Sequence, residues 1–380
     1  MIMSGWNDRG LMILGLVISL EMLISMELLL PVYIKDTTGS ILLVGTLYSI
    51  NGLVGLLIRI PSGAFSDRFG RKPFILFSGA MKAVGAFILS ISNRLSHLTS
   101  AFIFRSVGLG VEEPAYFALI SERSEAVRLG LTFGILLTLQ KLPQAAGPVL
   151  TGFLSDVLDI RVLFLLNSAL CVIATVVMFL SLKEEKKAAA SSGLGLDVLR
   201  GLDRNVLIFF VAFLIHFMAR ASFVPFFTVF AEGRGLTLTQ LGFILSLGHT
   251  VGIFSRVASG WFADRIGSKK VLLYTGVVRA IAFFAIPYAV GFPQLALVFV
   301  PYYSTMAAPP RNVMLSKISD ESTYGKIFGA MATMRDLGDI IGAFALGIVA
   351  QQISLQASFV CMTALEVVFV ALLLLVKERR

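Results

Sequence analysis

Charge is what this sequence has least of. Asp, Glu, Lys and Arg make up 14% of its 380 residues, where soluble domains carry about 25%. With 57% hydrophobic residues and a mean hydropathy of +0.87, a water-soluble fold would lack the polar residues to cover its surface. The chain reads as an all-α integral membrane protein. Cysteine is nearly absent: Cys171 and Cys361 both sit in apolar runs, which excludes a disulfide framework and reads as packing. His97, His216 and His249 are scattered, so no metal site is expected. No Gly-rich phosphate loop, metal cluster or nucleophile triad appears, which argues against an enzyme and against a bound cofactor. Acidic residues are outnumbered, 23 against 32 basic, for a net charge of +9. In a soluble protein that balance would suggest nucleic acid. Here the cations are spread over short loops, and no nucleic-acid partner is expected.

What is present is a series of long apolar runs. A helix needs roughly 20 apolar residues to cross a bilayer. That ruler gives about twelve spans: 10–34, 40–66, 73–92, 97–121, 127–155, 160–182, 204–230, 236–262, 270–290, 294–318, 324–351 and 356–376. Asp8 and Arg9 precede the first run, which carries Glu21 and Glu27 and lacks a small-residue cleavage site after it. It reads as a retained helix, not a signal peptide. Residues 183–203 are charged, then small and flexible, and read as a cytoplasmic linker between halves 1–182 and 204–380. Lys and Arg concentrate on one side, for example at Arg68, Arg71, Lys72, Arg123, Arg128, Lys183, Arg265, Lys269, Lys270 and Lys317. The other side holds Lys35, Arg94, Arg161 and Arg234. The asymmetry places both termini in the cytoplasm of a multi-pass cell-membrane protein.

The charged turn from Arg59 to Pro73 recurs 197 positions on. Arg59, Gly63, Asp67, Arg68, Gly70 and Lys72 match Arg256, Gly260, Asp264, Arg265, Gly267 and Lys269. Gly45, Gly55 and Lys82 match Gly242, Gly252 and Arg279 at the same distance. Gly147 and Gly152 match Gly342 and Gly347 at 195. A unit of six spans is used twice in the same order, giving two pseudo-symmetric six-helix halves. Such a build suits alternating access, with a site between the halves near the midplane.

With the turn, the spans and the repeat together, the chain resembles the major facilitator superfamily over nearly its whole length. Gly63-Ala-Phe-Ser-Asp67-Arg68-Phe-Gly70-Arg71-Lys72 is similar to the family signature between helices two and three. The second copy departs at Ser268, where the family pattern has Arg. The resemblance implies a secondary transporter of a small molecule, in which helices one, four, seven and ten line a central cavity. The cavity charges would then be Glu21 and Glu27, Arg105, Glu112 and Glu113, His216 and Arg220, and Arg311. Arg105-Ser-Val-Gly108-Leu-Gly110 resembles the family's helix-four pattern, linked to proton coupling. Gly147, Pro148 and Gly152 on span five resemble the antiporter motif of drug-exporting members, with Thr151 in place of one glycine.

Ionisable residues at membrane depth are costly unless paired or facing water, so each is a functional candidate. Glu21 lies at the middle of span one. Burial favours the protonated form of a carboxylate, which suits a proton carrier or a cation site. A fixed pair with a basic residue such as Arg220 is the alternative. Arg105 and Glu112 share a face of span four, as a proton-site modulator or as a permanent pair. His216 and Arg220 lie one turn apart and suit an anionic group, or a neighbouring hydrogen bond. Arg335 and Asp339 are spaced to pair within span eleven. With Asp336, and with Lys141 on span five, they read as local or inter-half ion pairs. Lys82 and Arg279 are expected at the periphery, and Glu366 has no evident partner.

The turn at Gly63 to Lys72, with Arg59, reads as a cytoplasmic gate. Gly63 and Gly260 are expected to admit a close helix, and Asp67 and Asp264 to hold an arginine or a helix N-terminus. The combined expectation is a proton-coupled exporter of a small amphipathic or cationic compound, working as a monomer. Proton-coupled uptake of an organic anion through Arg105, Arg220 and Arg311 stays open, as does a non-transporting scaffold on the same fold.

Overall fold

A computed structural model describes residues 15–123, 129–182, 203–305, 307–319 and 324–377. The expected linker 183–203 falls, apart from Asp203, outside the described residues. Among those described, every regular element is helical. The helices are α1 (Met26–Thr38), α2 (Ile41–Phe69), α3 (Arg71–Ser90), α4 (Leu95–Arg123), α5 (Leu129–Ser155), α6 (Ile160–Ser181) and α7 (Arg204–Arg220). They continue with α8 (Phe223–Gly233), α9 (Leu238–Ile266), α10 (Ser268–Ala285), α11 (Gly291–Ser304), α12 (Ala308–Ile318), α13 (Tyr324–Gln352) and α14 (Leu355–Leu375).

These helices fill the twelve expected spans because three spans are broken. Span one passes from helical backbone at 15–18 through a 3-10 turn at Leu20–Leu23 into α1. Span seven is α7 followed by α8, and span ten is α11 followed by α12. In span ten, Pro301, Pro309 and Pro310 flank the break. Each lacks an N–H and fixes its own φ, so the hydrogen-bond ladder cannot run through. By length and apolar composition, seven described stretches are able to cross a membrane. Other spans are interrupted, or carry charges such as Arg105, Glu112 and Glu113 on α4 and Arg335, Asp336 and Asp339 on α13. Outward residues such as Leu57, Leu180, Phe254, Val257 and Leu297 are more than 60% exposed. That is the apolar coat a bilayer requires.

By its contacts the chain forms two units. The first comprises residues 1–38, 50–192 and 241–246, and the second 39–49, 193–240 and 247–380. Residues 41–49 of α2 thus count with the second unit, and residues 241–246 of α9 with the first. In the first unit α3 packs along α4 and α6, and α5 and α6 close on the 3-10 turn. In the second, α10 packs on α14, and α7 packs on α13 and α14. The repeat survives in side-chain detail. Tyr33 meets Phe164 edge-on at 5.0 Å, and Phe230 meets Phe359 edge-on at 5.4 Å.

Two glycines bring backbones together beside the broken spans. A Cβ on Gly147 would lie 1.9 Å from the Met22 carbonyl oxygen, and one on Gly342 2.3 Å from that of Met218. No side chain fits at either place. The recurrence of these two glycines therefore reflects helix contact at the breaks in spans one and seven.

Candidate functional site

The break in span one exposes backbone groups that water cannot satisfy at membrane depth. Side chains do so instead. The Ser25 amide donates to Thr151 Oγ1 at 2.7 Å, and Thr151 Oγ1 donates to the Leu23 carbonyl at 3.2 Å. Asn167 Nδ2 on α6 donates to the Glu21 carbonyl at 2.8 Å. Thr151, a departure from the antiporter-like pattern, is thus the residue that ties α5 to this break.

The break aims the Glu21 side chain into the first unit, where it is 6% exposed. Lys82 Nζ on α3 donates to Glu21 Oε1 at 2.8 Å and also to Glu112 Oε2 on α4. The Cys171 thiol on α6 donates to Glu21 Oε2 at 3.1 Å, and Ser78 Oγ donates to Glu112 Oε2 at 2.9 Å. One lysine therefore serves two carboxylates inside a bundle of apolar helices. Arg105 NH1 donates to Asn167 Oδ1 at 3.1 Å, next to this cluster. The small residues around Lys82 let its long side chain in. A Cβ on Gly108 would sit 2.7 Å from Lys82 Cγ.

The second unit has a counterpart. Arg279 on α10, the repeat partner of Lys82, donates through Nε to Glu366 Oε1 at 3.3 Å and through NH1 to the Thr305 carbonyl at 2.6 Å. His216 Nδ1 on α7 lies 2.7 Å from the same Glu366 oxygen. Glu366 is fully buried and its Oε2 has no hydrogen-bond partner. Here one carboxylate serves one fixed cation and one imidazole. A separate polar group lies further along α7. Arg220 NH2 pairs with Asp339 Oδ2 at 3.1 Å, Arg335 Nε pairs with Asp336 Oδ1 at 3.2 Å, and Arg311 lies over the Phe213 and Phe217 rings.

The two charged turns differ in the same way. Gly70 (φ +95°) and Gly267 (φ +94°) make the turns between α2 and α3 and between α9 and α10, in a region other residues rarely enter. At the first turn Arg71 pairs with Asp67 and donates to Ser66 Oγ at 2.7 Å and, through NH2, to Glu122 Oε1 on α4 at 2.7 Å. Arg59 Nε pairs with Glu113 Oε2 at 3.1 Å. At the second turn Ser268 replaces the arginine, and its buried hydroxyl has no partner. Arg256 is exposed, and Asp264 forms no ion pair among the described residues. Arg68 and Arg265 lie over the neighbouring Phe69 and Trp261 rings. The two lysines keep one job. Lys72 Nζ caps the Phe179 and Leu182 carbonyls at the end of α6, and Lys269 Nζ caps those of Leu374 and Val376 at the end of α14.

Several expected partnerships are therefore redistributed. Glu112 pairs with Lys82, not Arg105, and Glu21 pairs with Lys82, not Arg220. Glu112 and Glu113 diverge because successive helical residues point about 100° apart. His216 and Arg220 serve different carboxylates, Glu366 and Asp339. Asp339 reaches across to α7, and Arg335 pairs with its sequence neighbour Asp336. Lys141 bonds to Gln144 on its own helix, and Glu27 opens the first turn of α1. At Gly63 and Gly260 an added Cβ would meet only Pro114 Cβ at 3.8 Å and Pro309 Cβ at 3.7 Å. Those are ordinary contacts, so steric need does not account for either glycine here. Lys82, Arg279 and Glu366, expected at the periphery or left without a partner, are at the centre of the two clusters. The signal for the two cations was in the sequence, as a pair kept at the 197-residue spacing.

Comparison with known proteins agrees with this architecture. The sequence profile of the Major Facilitator Superfamily matches residues 11–342. The chain is 26% identical over 349 residues to the multidrug resistance protein MdtG of Proteus mirabilis, covering 87% of this chain and 86% of that protein. It is 25% identical over 346 residues to the multi-drug resistance efflux pump PmrA of Streptococcus pneumoniae, covering 88% and 86%. Among solved structures, the nucleoside transporter NupG superposes with a TM-score of 0.83 at 15% identity, covering 99% of this chain and all of that one. A bacterial homolog of the human lysosomal transporter Spinster, inward-facing and occupied, gives 0.78 at 12% identity, covering 98% and 97%. At those identities the two structures speak to fold alone. This chain belongs to the Major Facilitator Superfamily and is a multi-pass membrane transporter, not an enzyme.

Proposed function

We propose that the protein exports a small amphipathic compound, organic cations included, in exchange for protons by alternating access. The observation that carries the reading is Lys82 held between Glu21 and Glu112. Two carboxylates around one lysine can lose one negative charge to a proton and still leave the lysine paired. The proton enters at Glu112, the more open of the two, with its side chain 16% exposed against 7% for Glu21. Because the cluster ties span one, α3 and α4 together, its protonation changes how firmly span one is held. Arg105, bonded to the asparagine that caps Glu21, adjusts that balance. The turn around Arg71, with Glu122 and the Arg59–Glu113 pair, is the cytoplasmic gate. Halves 1–182 and 204–380 are the moving bodies of a monomer with both termini in the cytoplasm. Export is supported by the Pro148-containing pattern on α5 and by relatives described as multidrug resistance and efflux proteins.

The test is transport of ethidium and tetraphenylphosphonium into liposomes holding the full-length protein. Accumulation when the lumen is acid, abolished by a protonophore, is the expected result. Accumulation only when the lumen is alkaline would mean that protons travel with the substrate, and the export reading would fail.

A further inference from the structure

Residues 41–49 of α2 belong by sequence to the half 1–182, yet within the second unit they pack along α13 of the other half. A Cβ on Gly45 would lie 2.3 Å from the Ala343 carbonyl oxygen and 3.0 Å from Gly347 Cα, so the two backbones touch there. One turn on, Ser49 Oγ donates to the Ile340 carbonyl at 2.9 Å. Gln351 stands at the other end of this seam. Its Oε1 accepts from Ser40 Oγ and from the Ile41 amide, each at 3.1 Å, and from the Leu42 amide at 3.3 Å. The first N–H groups of a helix have no carbonyl behind them and need outside partners. Ser40 Oγ serves the Leu43 amide at 3.4 Å. Ile41 and Leu42 depend on a side chain from the half 204–380.

The repeat-equivalent seam is finished differently. Residues 241–246 of α9 pack on α5 within the first unit. A Cβ on Gly242 would lie 2.2 Å from the Pro148 carbonyl oxygen, and the Val149 amide donates to Ser246 Oγ at 2.9 Å. The start of α9, by contrast, is closed by its own residues. The Gln240 amide donates to Thr237 Oγ1 at 3.2 Å and the Thr237 amide to Gln240 Oε1 at 3.1 Å. That capping box satisfies the helix start without help from α5. Parting α9 from α5 would leave it whole. Parting α2 from α13 would take the acceptor from two N–H groups at once.

We infer that Gln351 is the latch of the outer face: its carbonyl holds that face closed, and its release from the start of α2 is a required step in opening to the outside. Alternating access parts the halves at one face while joining them at the other. The inference rests on the proposed alternating access and takes its sidedness from it. It requires nothing about substrate or coupling.

The test is hydrogen–deuterium exchange of the full-length protein in lipid nanodiscs, with no substrate or ion gradient. In Gln351→Leu, exchange over 40–49 should rise about tenfold, as for the loss of one or two ordinary hydrogen bonds. Exchange over 241–249, which Gln351 does not touch, should rise with it, and exchange over the cytoplasmic turn 59–72 should slow. Gln351→Glu keeps an acceptor and should exchange no faster than the native protein. Thr237→Ala should speed exchange at 238–241 alone. A rise confined to the first turn of α2, or none, would make Gln351 a local cap and overturn the inference. So would Gln351→Glu behaving like Gln351→Leu, or Thr237→Ala opening both seams. Exchange over 59–72 that fails to slow would mark loosening, not opening, and would also overturn it. Ethidium antiport in the liposome assay alongside a rise confined to α2 would remove this inference alone. The expected exchange pattern without antiport would remove the export reading alone.

Discussion

Lys82 in the first unit and Arg279 in the second occupy one place in the repeat, yet their surroundings differ in kind. Lys82 has two carboxylates, Glu21 and Glu112, from two separate spans. Arg279 has one, Glu366, and shares it with His216. A proton taken up beside Lys82 leaves an ion pair intact. A proton on Glu366 would leave Arg279 with no anion, and one on His216 would set two cations against one carboxylate. By charge count the first cluster is able to change state, and the second is a fixed tie between α7, α10 and α14. The charged turns repeat the contrast. The first is wired through Arg71 to Asp67 and Glu122, and the second has Ser268 there. The duplication kept the frame in both halves, while the ionic wiring of the turn remains in one.

Substitutions can break this comparison, beginning with the largest expected effects. Lys82→Met strands the buried Glu21 carboxylate and the half-buried Glu112, and Glu366→Gln strands Arg279. Each should cost about 3–5 kcal/mol, as for other buried pairs deprived of one partner, read as a lower unfolding temperature in detergent. Lys82→Met should be partly rescued by adding Glu112→Gln, because the stranded charge falls by one. Gly147→Ala and Gly342→Ala push a methyl into a facing carbonyl and should cost about 1–3 kcal/mol or more. Arg71→Ala should cost about 1–2 kcal/mol for its lost charged hydrogen bonds. Its counterpart Ser268→Ala should stay within about 0.5 kcal/mol, as should Gly63→Ala and Gly260→Ala. Equal losses at Arg71 and Ser268, measured by the same thermal unfolding, would erase the distinction between the turns.

Much of the fold could be read from the sequence, because membrane spans announce themselves by length and the repeat fixes their order. The break in span one could not, since no proline lies where the helix stops. The break in span seven is marked by Pro225, whose missing N–H falls opposite the Ala221 carbonyl, a mark that counting apolar residues passes over. Both breaks have tertiary partners, Thr151 and Asn167 in one case and the Gly342 contact in the other. The site residues were visible as charges, but their pairing was not. Spacing along one helix links Arg105 to Glu112 and Arg335 to Asp339, whereas both carboxylates reach across to other helices. Long side chains such as Lys82 span several ångströms toward a neighbouring helix, so helical position alone understates what they can touch. Thr151 is the clearest case. As a sequence it is a mismatch to the antiporter-like pattern, and in three dimensions it holds the break that directs Glu21.

The measurement that bears most directly on the first cluster as the coupling site is ethidium accumulation driven by an acid lumen, compared across three variants in liposomes of equal protein content. Glu21→Gln and Glu112→Gln should each abolish accumulation driven by the pH gradient while downhill ethidium movement persists. Glu366→Gln, scored per folded molecule, should leave the response to the pH gradient in place. Coupling that survives in both first-unit variants and vanishes in Glu366→Gln would contradict the account.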